Sequence, residues 1–518
     1  MTGGSVMIPR LVRILMILLI PGILIVTQSN TSAQDWAKKY PIEKDFPGPY
    51  SYEEISKKDY RGITLNAITH EPPNLGEAVI LHARQFEELT GARIKVTPVV
   101  YRKLYSEVMW GLRNDNYDLY FYGGEWLADV APFLKPLPAK MLESEQYKDI
   151  AKPYKVMSQW EGVPIEVKID GDKHYLQYRM DLLEDPDYRA LFQEEHGREL
   201  VPPRTWKEYA EVAKFFHGKV LKNGRVIYGA TEITKWDDLV YSQFFKRAAS
   251  YAKHPEVKGG FYFDLKTMKS LVNTPGFVEA LKDFAEIVEY LPPGGIDFTL
   301  TDALKSFGWG EAVLTDMWDD SFVKAMEPSS DIRNKVGAAV SPGSKKVWNR
   351  NTGKWDYFPE INHVFYLPES WAAGVAKTSK YEEAAFDFLG FYSNEANHKA
   401  DLLVGRRGMN PFRNSDRDRS FWMEKAGWGE KSVDTYMDTL KKCTESQNRV
   451  FALNIIEGRR YLVILSEQIR KVLKKQVSPQ AALNEVAIKW DELTKRIGVE
   501  KQRKAYSNTV RLEDGEMK

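Results

Sequence analysis

Apolar and polar positions along the chain follow two alternating periods. Ile63, Leu65 and Ala67 stand two apart, the spacing of a half-buried strand, and Ile80, Ala83, Phe86 and Leu89 follow at helical spacing until Gly91 stops them. Ile94 and Val96 mark a second strand, Tyr105 to Leu112 a second helix, and Tyr117 to Phe121 a third strand. This β-α-β-α-β rhythm predicts a mainly parallel sheet with helices on both faces, so the expected class is α/β. Sheets of this kind bind ligands beyond the carboxyl ends of their strands. Gly123 to Trp126 follow one strand end, and His70 and Glu71 follow another.

Helix starts are marked further along. Thr205 with Glu208, and Ser379 with Glu382, have capping-box spacing. Thr274-Pro275 and Ser478-Pro479 each place a cap ahead of a first-turn proline. The last of these helices carries Leu483, Val486, Trp490, Leu493 and Ile497 on one stripe and ends at Gly498, which makes Trp490 a core residue. Short strands are expected at 336–340 and 365–367, and no internal repeat is present.

At 518 residues the chain exceeds one ordinary core and fits two or three domains. The first segment has the layout of an export signal: Arg10 and Arg13, the apolar run Ile14 to Val26, then Thr31 and Ala33 as small residues at a cleavage site. Cutting after Ala33 leaves 518 − 33 = 485 residues. The apolar run falls short of the ~20 residues that a membrane span needs, and no later stretch approaches that length. Cys443 is the only cysteine, so there is neither an intrachain disulfide nor a lipid acceptor after the apolar run. The expected product is a soluble periplasmic protein, not a lipoprotein, with no stable membrane insertion. With 73 basic against 72 acidic side chains and no basic stripe, nucleic acid is not an expected partner.

No catalytic group, metal or cofactor is expected either. The eight histidines show no i, i+4 pair beside a glutamate, and neither a phosphate loop nor a G-x-S-x-G elbow is present. Cys443 lies in a polar helical stretch without a nearby histidine. Asp170-Gly171-Asp172 lacks the later acidic positions of a calcium loop and reads as a turn. What stands out is a set of three segments: Gly123-Gly124-Glu125-Trp126, Asp316-Met317-Trp318-Asp319-Asp320, and Glu369-Ser370-Trp371-Ala372-Ala373-Gly374. A flat apolar ring beside hydrogen-bond acceptors suits a sugar, which is apolar on its faces and hydroxylated at its edges. Any one of these tryptophans could equally be a core residue; the three together point to a shared cleft.

The order of short motifs over residues 60 to 508 resembles the family 1 extracellular solute-binding proteins of bacterial ABC importers, the group that includes maltose-type receptors. The motifs run from Phe86-Glu87-Glu88-Leu89-Thr90-Gly91, through Tyr117-Asp118-Leu119, Gly162-Val163-Pro164, Tyr175 to Leu183, Pro203 to Glu208 and Gly310 to Leu314, to Trp371 to Lys380, Gly408 to Arg413 and Ser478 to Leu483. The resemblance implies a two-lobe periplasmic binding protein fold of type II, with hinge crossovers and a ligand cleft between the lobes. The crossovers would lie near Gly162–Lys168, Tyr357–Val364 and Tyr392–Val404. The expected division is a 34–60 extension, lobe 1 from 60–162 and 363–400, lobe 2 from 168–358 and 405–508, and a 509–518 tail. By position in the motifs, Glu125, Trp126, Tyr178, Trp318, Trp371, Gly374 and Arg413 look like cleft residues, with His70, Glu71, Trp236, Asp316 and Asp319 as further candidates. The implied function is a non-enzymatic, monomeric receptor for a carbohydrate or polyol that serves ABC permease subunits. Three alternatives stay open: a phosphorylated or acidic polyol held by Arg413 and Arg179, a periplasmic glycosidase using Glu125 with Asp316 or Asp319, and a sensory or accessory subunit.

Overall fold

The computed structural model describes residues 46–235, 239–368, 370–404 and 408–514. The expected signal peptide at 1–33, and Trp236, lie outside the described residues.

Two sheets organise the chain. The strands that build them, in chain order, are β1 (Thr64–His70), β2 (Arg93–Val99), β3 (Leu119–Gly123), β4 (Val167–Lys168), β5 (His174–Arg179), β6 (Tyr228–Thr231), β7 (Ala312–Trp318), β8 (Val336–Ala339) and β9 (Trp371–Val375). The first sheet has the order β2-β1-β3-β9-β4 and the second β8-β5-β7-β6. The β-α-β-α-β opening folds as read from the sequence, with β1 parallel to both β2 and β3. Along β3, Leu119 and Phe121 enter one core while Tyr120 and Tyr122 enter another, because successive side chains leave opposite faces and helices cover both.

The sheets are more mixed than the opening rhythm suggests. β9 runs antiparallel to β3 and β4, and β5 runs antiparallel to β7 and β8. β5 and β9 follow segments that arrive from the other sheet, so no crossover helix forces them parallel to their neighbours. Residues 169–173 carry the chain from β4 to β5, later than the expected Gly162–Lys168. Lys354–Asn362, where a second crossing was expected, is one strand of a hairpin with Ser344–Asn349. The return to the first sheet comes between Phe365–Leu367 and β9.

Cap chemistry explains where helices begin. The Thr205 hydroxyl accepts from Glu208 N at 3.2 Å, and the Glu208 carboxylate reaches back to Arg204 N at 2.8 Å, one residue beyond the expected partner. Ser379 does not cap its helix; its hydroxyl donates to the Asp118 carboxylate at 2.7 Å, and Glu382–Tyr392 starts without a side-chain cap. A charged acceptor next door outcompetes a backbone amide. Trp490 is fully buried, and its indole N–H donates to Tyr461 O at 2.9 Å.

The first and last described segments pack onto the fold. Residues 46–60, expected as an extension, pack on the first lobe: the Tyr52 hydroxyl donates to Asn397 and that of Tyr60 to Asp387, each at 2.7 Å. The helix Val499–Glu513 runs into the expected tail and buries Thr509, Val510 and Glu513 there.

Candidate ligand-binding cleft

At one edge of the first sheet β1 and β3 end at His70 and Gly123, and β9 begins at Trp371 paired with Gly123. Three rings gather around Trp371: His70 with centroids 5.6 Å away, Tyr101 at 6.2 Å and Trp126 at 6.3 Å. Trp371 is half-buried, whereas Trp126 is only 1% exposed and rests on Tyr105 at 5.2 Å. Trp371 therefore offers the aromatic face and Trp126 supports it from beneath. Glu125 is buried, its carboxylate folded back so that a Cβ on Gly123 would lie 2.4 Å from Oε2. Only glycine leaves room for it there.

Trp318 closes β7 in the second sheet, where the antiparallel register sets it opposite His174. The two rings meet edge-on at 4.2 Å, His174 lies 5.5 Å from Tyr366, and Ser242 Oγ is 3.4 Å from His174 Nε2. Burial, then the positive charges of Lys246 and Arg247, hold His174 well below its ordinary pKa. Burial also lowers His70. Both imidazoles are neutral near pH 7, so each presents one donor and one acceptor.

Arg459 joins the two groups. Its guanidinium lies 5.5 Å from the Tyr101 ring centroid in the first lobe. Burial lowers its pKa, and Tyr101, Tyr241 and Glu125 together outweigh that and raise it. Tyr241 precedes Ser242 on the helix Val240–Ala252, so this helix links the surroundings of Arg459 to the pair His174 and Trp318, which is buried like Trp126, with Trp318 only 3% exposed. Three hydrogen bonds also span the lobes. Ala128 N donates to Asn454 Oδ1 at 2.9 Å, Asn454 Nδ2 to Gly124 O at 3.4 Å, and Glu457 N to Asp129 Oδ1 at 2.9 Å.

The remaining candidates lie elsewhere. Tyr178 is four residues along β5 from His174, about 13 Å at strand rise, with its ring over Gly337. Gly374 faces Leu134, whose side chain a Cβ would meet at 2.7 Å, so it serves core packing. Arg413 is buried with its guanidinium donating to the Gln146 and Ser393 carbonyls. Arg179 is held by Asp181 at 2.8 and 2.7 Å. Asp316 belongs to a fully buried network, 3.2 Å from Lys246, which also neighbours Glu232 at 3.5 Å; Glu232 in turn holds Arg247 at 2.6 Å. Asp319 pairs with Lys173 at 2.6 Å. Glu71 is exposed after the end of β1.

The strand-end rule that found Glu125 applies equally to Tyr101, which follows β2. Arg459 also carried a signal, since a cation in the first turn of a helix opposes the helix dipole and implies another demand on it. His174 and Tyr241 had none, because long-range pairing alone brings them to Trp318 and Arg459.

Residues 82–427 match the family model described as bacterial extracellular solute-binding protein. No curated protein sequence matches the chain. Among solved structures, maltose-bound MalE3 of T. maritima is similar at 19% identity and a TM-score of 0.64, over 83% of this chain and 100% of the other. A ribitol complex of an ABC transporter solute-binding protein from Agrobacterium radiobacter K84 aligns at 21% identity and a TM-score of 0.65, over 84% and 100%. A D-mannitol complex from Agrobacterium vitis S4 aligns at 16% identity and a TM-score of 0.61, over 84% and 99%.

Proposed function

Because the chain belongs to the bacterial extracellular solute-binding proteins, we propose that it is a periplasmic receptor that captures a carbohydrate or polyol between its lobes and delivers it to ABC permease subunits. The observation that carries this reading is the group at the strand ends of the first sheet, where the half-buried Trp371 stands beside His70 and Tyr101 and the Arg459 guanidinium of the other lobe lies against Tyr101. Trp371 stacks on a sugar ring or carbon chain, and Arg459 and Glu125 take its hydroxyls. Hydrogen bonds to charged groups contribute about 1.5–3 kcal/mol each, enough for a few to separate stereoisomers. The similar structures bound to maltose, ribitol and D-mannitol support the same ligand class.

The mature chain in this reading begins at Gln34 after signal cleavage, is monomeric, and closes by hinge motion at 169–173 and past Leu367, with the β2-β1-β3-β9-β4 sheet organising one lobe and the β8-β5-β7-β6 sheet the other. The phosphorylated-polyol alternative loses its carriers, since Arg413 and Arg179 already serve internal partners. The glycosidase alternative loses Asp316 and Asp319 to buried lysines in the same way. Titration with a panel of neutral sugars and polyols, followed by tryptophan fluorescence and thermal melting, tests the ligand class. Saturable quenching and a raised Tm are expected for at least one of them; no response to any overturns the reading.

A further inference from the structure

At the crossing between the lobes, oxygen ligands converge from three chain segments. Asp170 and Asp172 come from the 169–173 crossing, Asp319 and Asp320 from the end of β7, and Asn410 from the segment after the helix Glu395–Leu402. Asp172, Asp319 and Asp320 each bring a carboxylate oxygen, all within 4.8 Å of one another. Asp170, Asp319 and Asn410 are fully buried, and Asp172 is nearly so.

Lys173 is the cation that faces this group, with Nζ 2.6 Å from Asp319 Oδ2 and 2.9 Å from the Pro411 carbonyl. Four carboxylates against one ammonium is a charge burden that a buried site does not sustain unaided.

A second observation is independent of the charge count. The Asn410 amide is wedged between Asp172 Oδ1 at 2.9 Å and Asp320 Oδ2 at 3.0 Å, while its own carbonyl oxygen is buried and accepts no hydrogen bond. Asp319 Oδ1 is likewise buried without a donor. A half-turn of the Asn410 amide would place Oδ1 where its two N–H groups now point. Asn410 would then add a carbonyl oxygen to the carboxylate oxygens of Asp172 and Asp320, while Lys173 stays on Asp319 Oδ2 and leaves Asp319 Oδ1 open. We propose that this cluster is a site for a hard divalent cation of the Ca2+ class, held by Asp172, Asp319, Asp320 and Asn410 with Asp170 behind them, and that it braces the crossing between the lobes. Ca2+ takes six to eight oxygens at about 2.3–2.6 Å, so oxygens on opposite sides of it lie roughly 5 Å apart, whereas Mg2+ demands about 2.0–2.1 Å and a stricter octahedron. Asp170-Gly171-Asp172 gave only a weak calcium signal in the sequence because the other ligands are supplied by positions about 150 and 240 residues downstream.

The test needs no sugar, so its outcome is separate from that of the carbohydrate reading. Purified full-length protein is stripped with a chelator and titrated with CaCl2 by calorimetry, with thermal melts in parallel and Tb3+ luminescence sensitised by nearby Tyr154 and Trp318. One Ca2+ per chain is expected, with a dissociation constant of about 10⁻⁵–10⁻³ M, a raised Tm and weaker binding of Mg2+. Asp172→Asn and Asp320→Asn should each weaken Ca2+ binding at least tenfold. The same variants should melt no lower than the parent without metal, because each removes like-charge repulsion; this separates a lost ligand from a lost fold. Absence of binding and of any melting shift in the parent overturns the proposal, and so does binding that is unchanged in both variants.

Discussion

Among single residues, exposure separates ligand contacts from supports. Trp371→Ala removes a half-buried ring and should weaken sugar binding about tenfold or more, a loss of roughly 1.4 kcal/mol, with little change in Tm. Trp126→Ala, by contrast, empties a core position, and its first readout should be a lower Tm. The buried network around Lys246 gives a stricter test. Lys246→Met leaves Asp316 without its nearest cation and should cost on the order of 3–5 kcal/mol in urea unfolding, whereas Lys57→Ala on the surface should leave the urea midpoint unchanged. Residue type and local flanks were enough to mark Trp371, Trp318 and Glu125 in the sequence. They could not tell what Arg413 or Asp316 had already paired with, since Gln146, Ser393 and Lys246 lie far along the chain.

In the secondary-structure elements, strand ends proved more legible than strand partners. The alternation of Leu65 and Ala67, and the helical spacing that follows it, depend on local periodicity and located β1 and its neighbouring helix closely. The register of β5 against β7 is set by contacts between residues about 140 apart, which is why motif position could offer Tyr178 as a cleft residue but could not show that His174 is the β5 residue paired with Trp318. The last helix makes a pH prediction. Burial pushes Glu513 up to about 7, although Lys253 works in the opposite direction, and its Oε1 accepts from Phe451 N at 3.1 Å. The folded state therefore holds a proton that the unfolded chain, with a glutamate pKa of about 4.3, has released. The sign is fixed by that difference: stability should fall as pH rises from about 4 through 7. Urea midpoints at pH 5 and 8 check this, and Glu513→Gln should flatten the difference.

For the whole molecule, closure is the expected response to ligand, seen as a smaller radius of gyration by X-ray scattering when the binding sugar is added. The two-lobe architecture was legible because many weak motifs kept one order over most of the chain, while the first two crossings were placed several residues early because hinge segments carry no periodicity of their own. The three hydrogen bonds that Asn454, Ala128 and Glu457 make between the lobes act without touching the cleft floor. Bonds of this kind contribute about 1 kcal/mol each, so they set how often the empty molecule visits the shut form. Apparent affinity scales with that fraction. Asn454→Ala should thus weaken every ligand by the same several-fold factor and leave their ranking untouched. Two receptors with identical binding surfaces could then be tuned to scarce or plentiful nutrient by one asparagine that neither ever presents to its cargo.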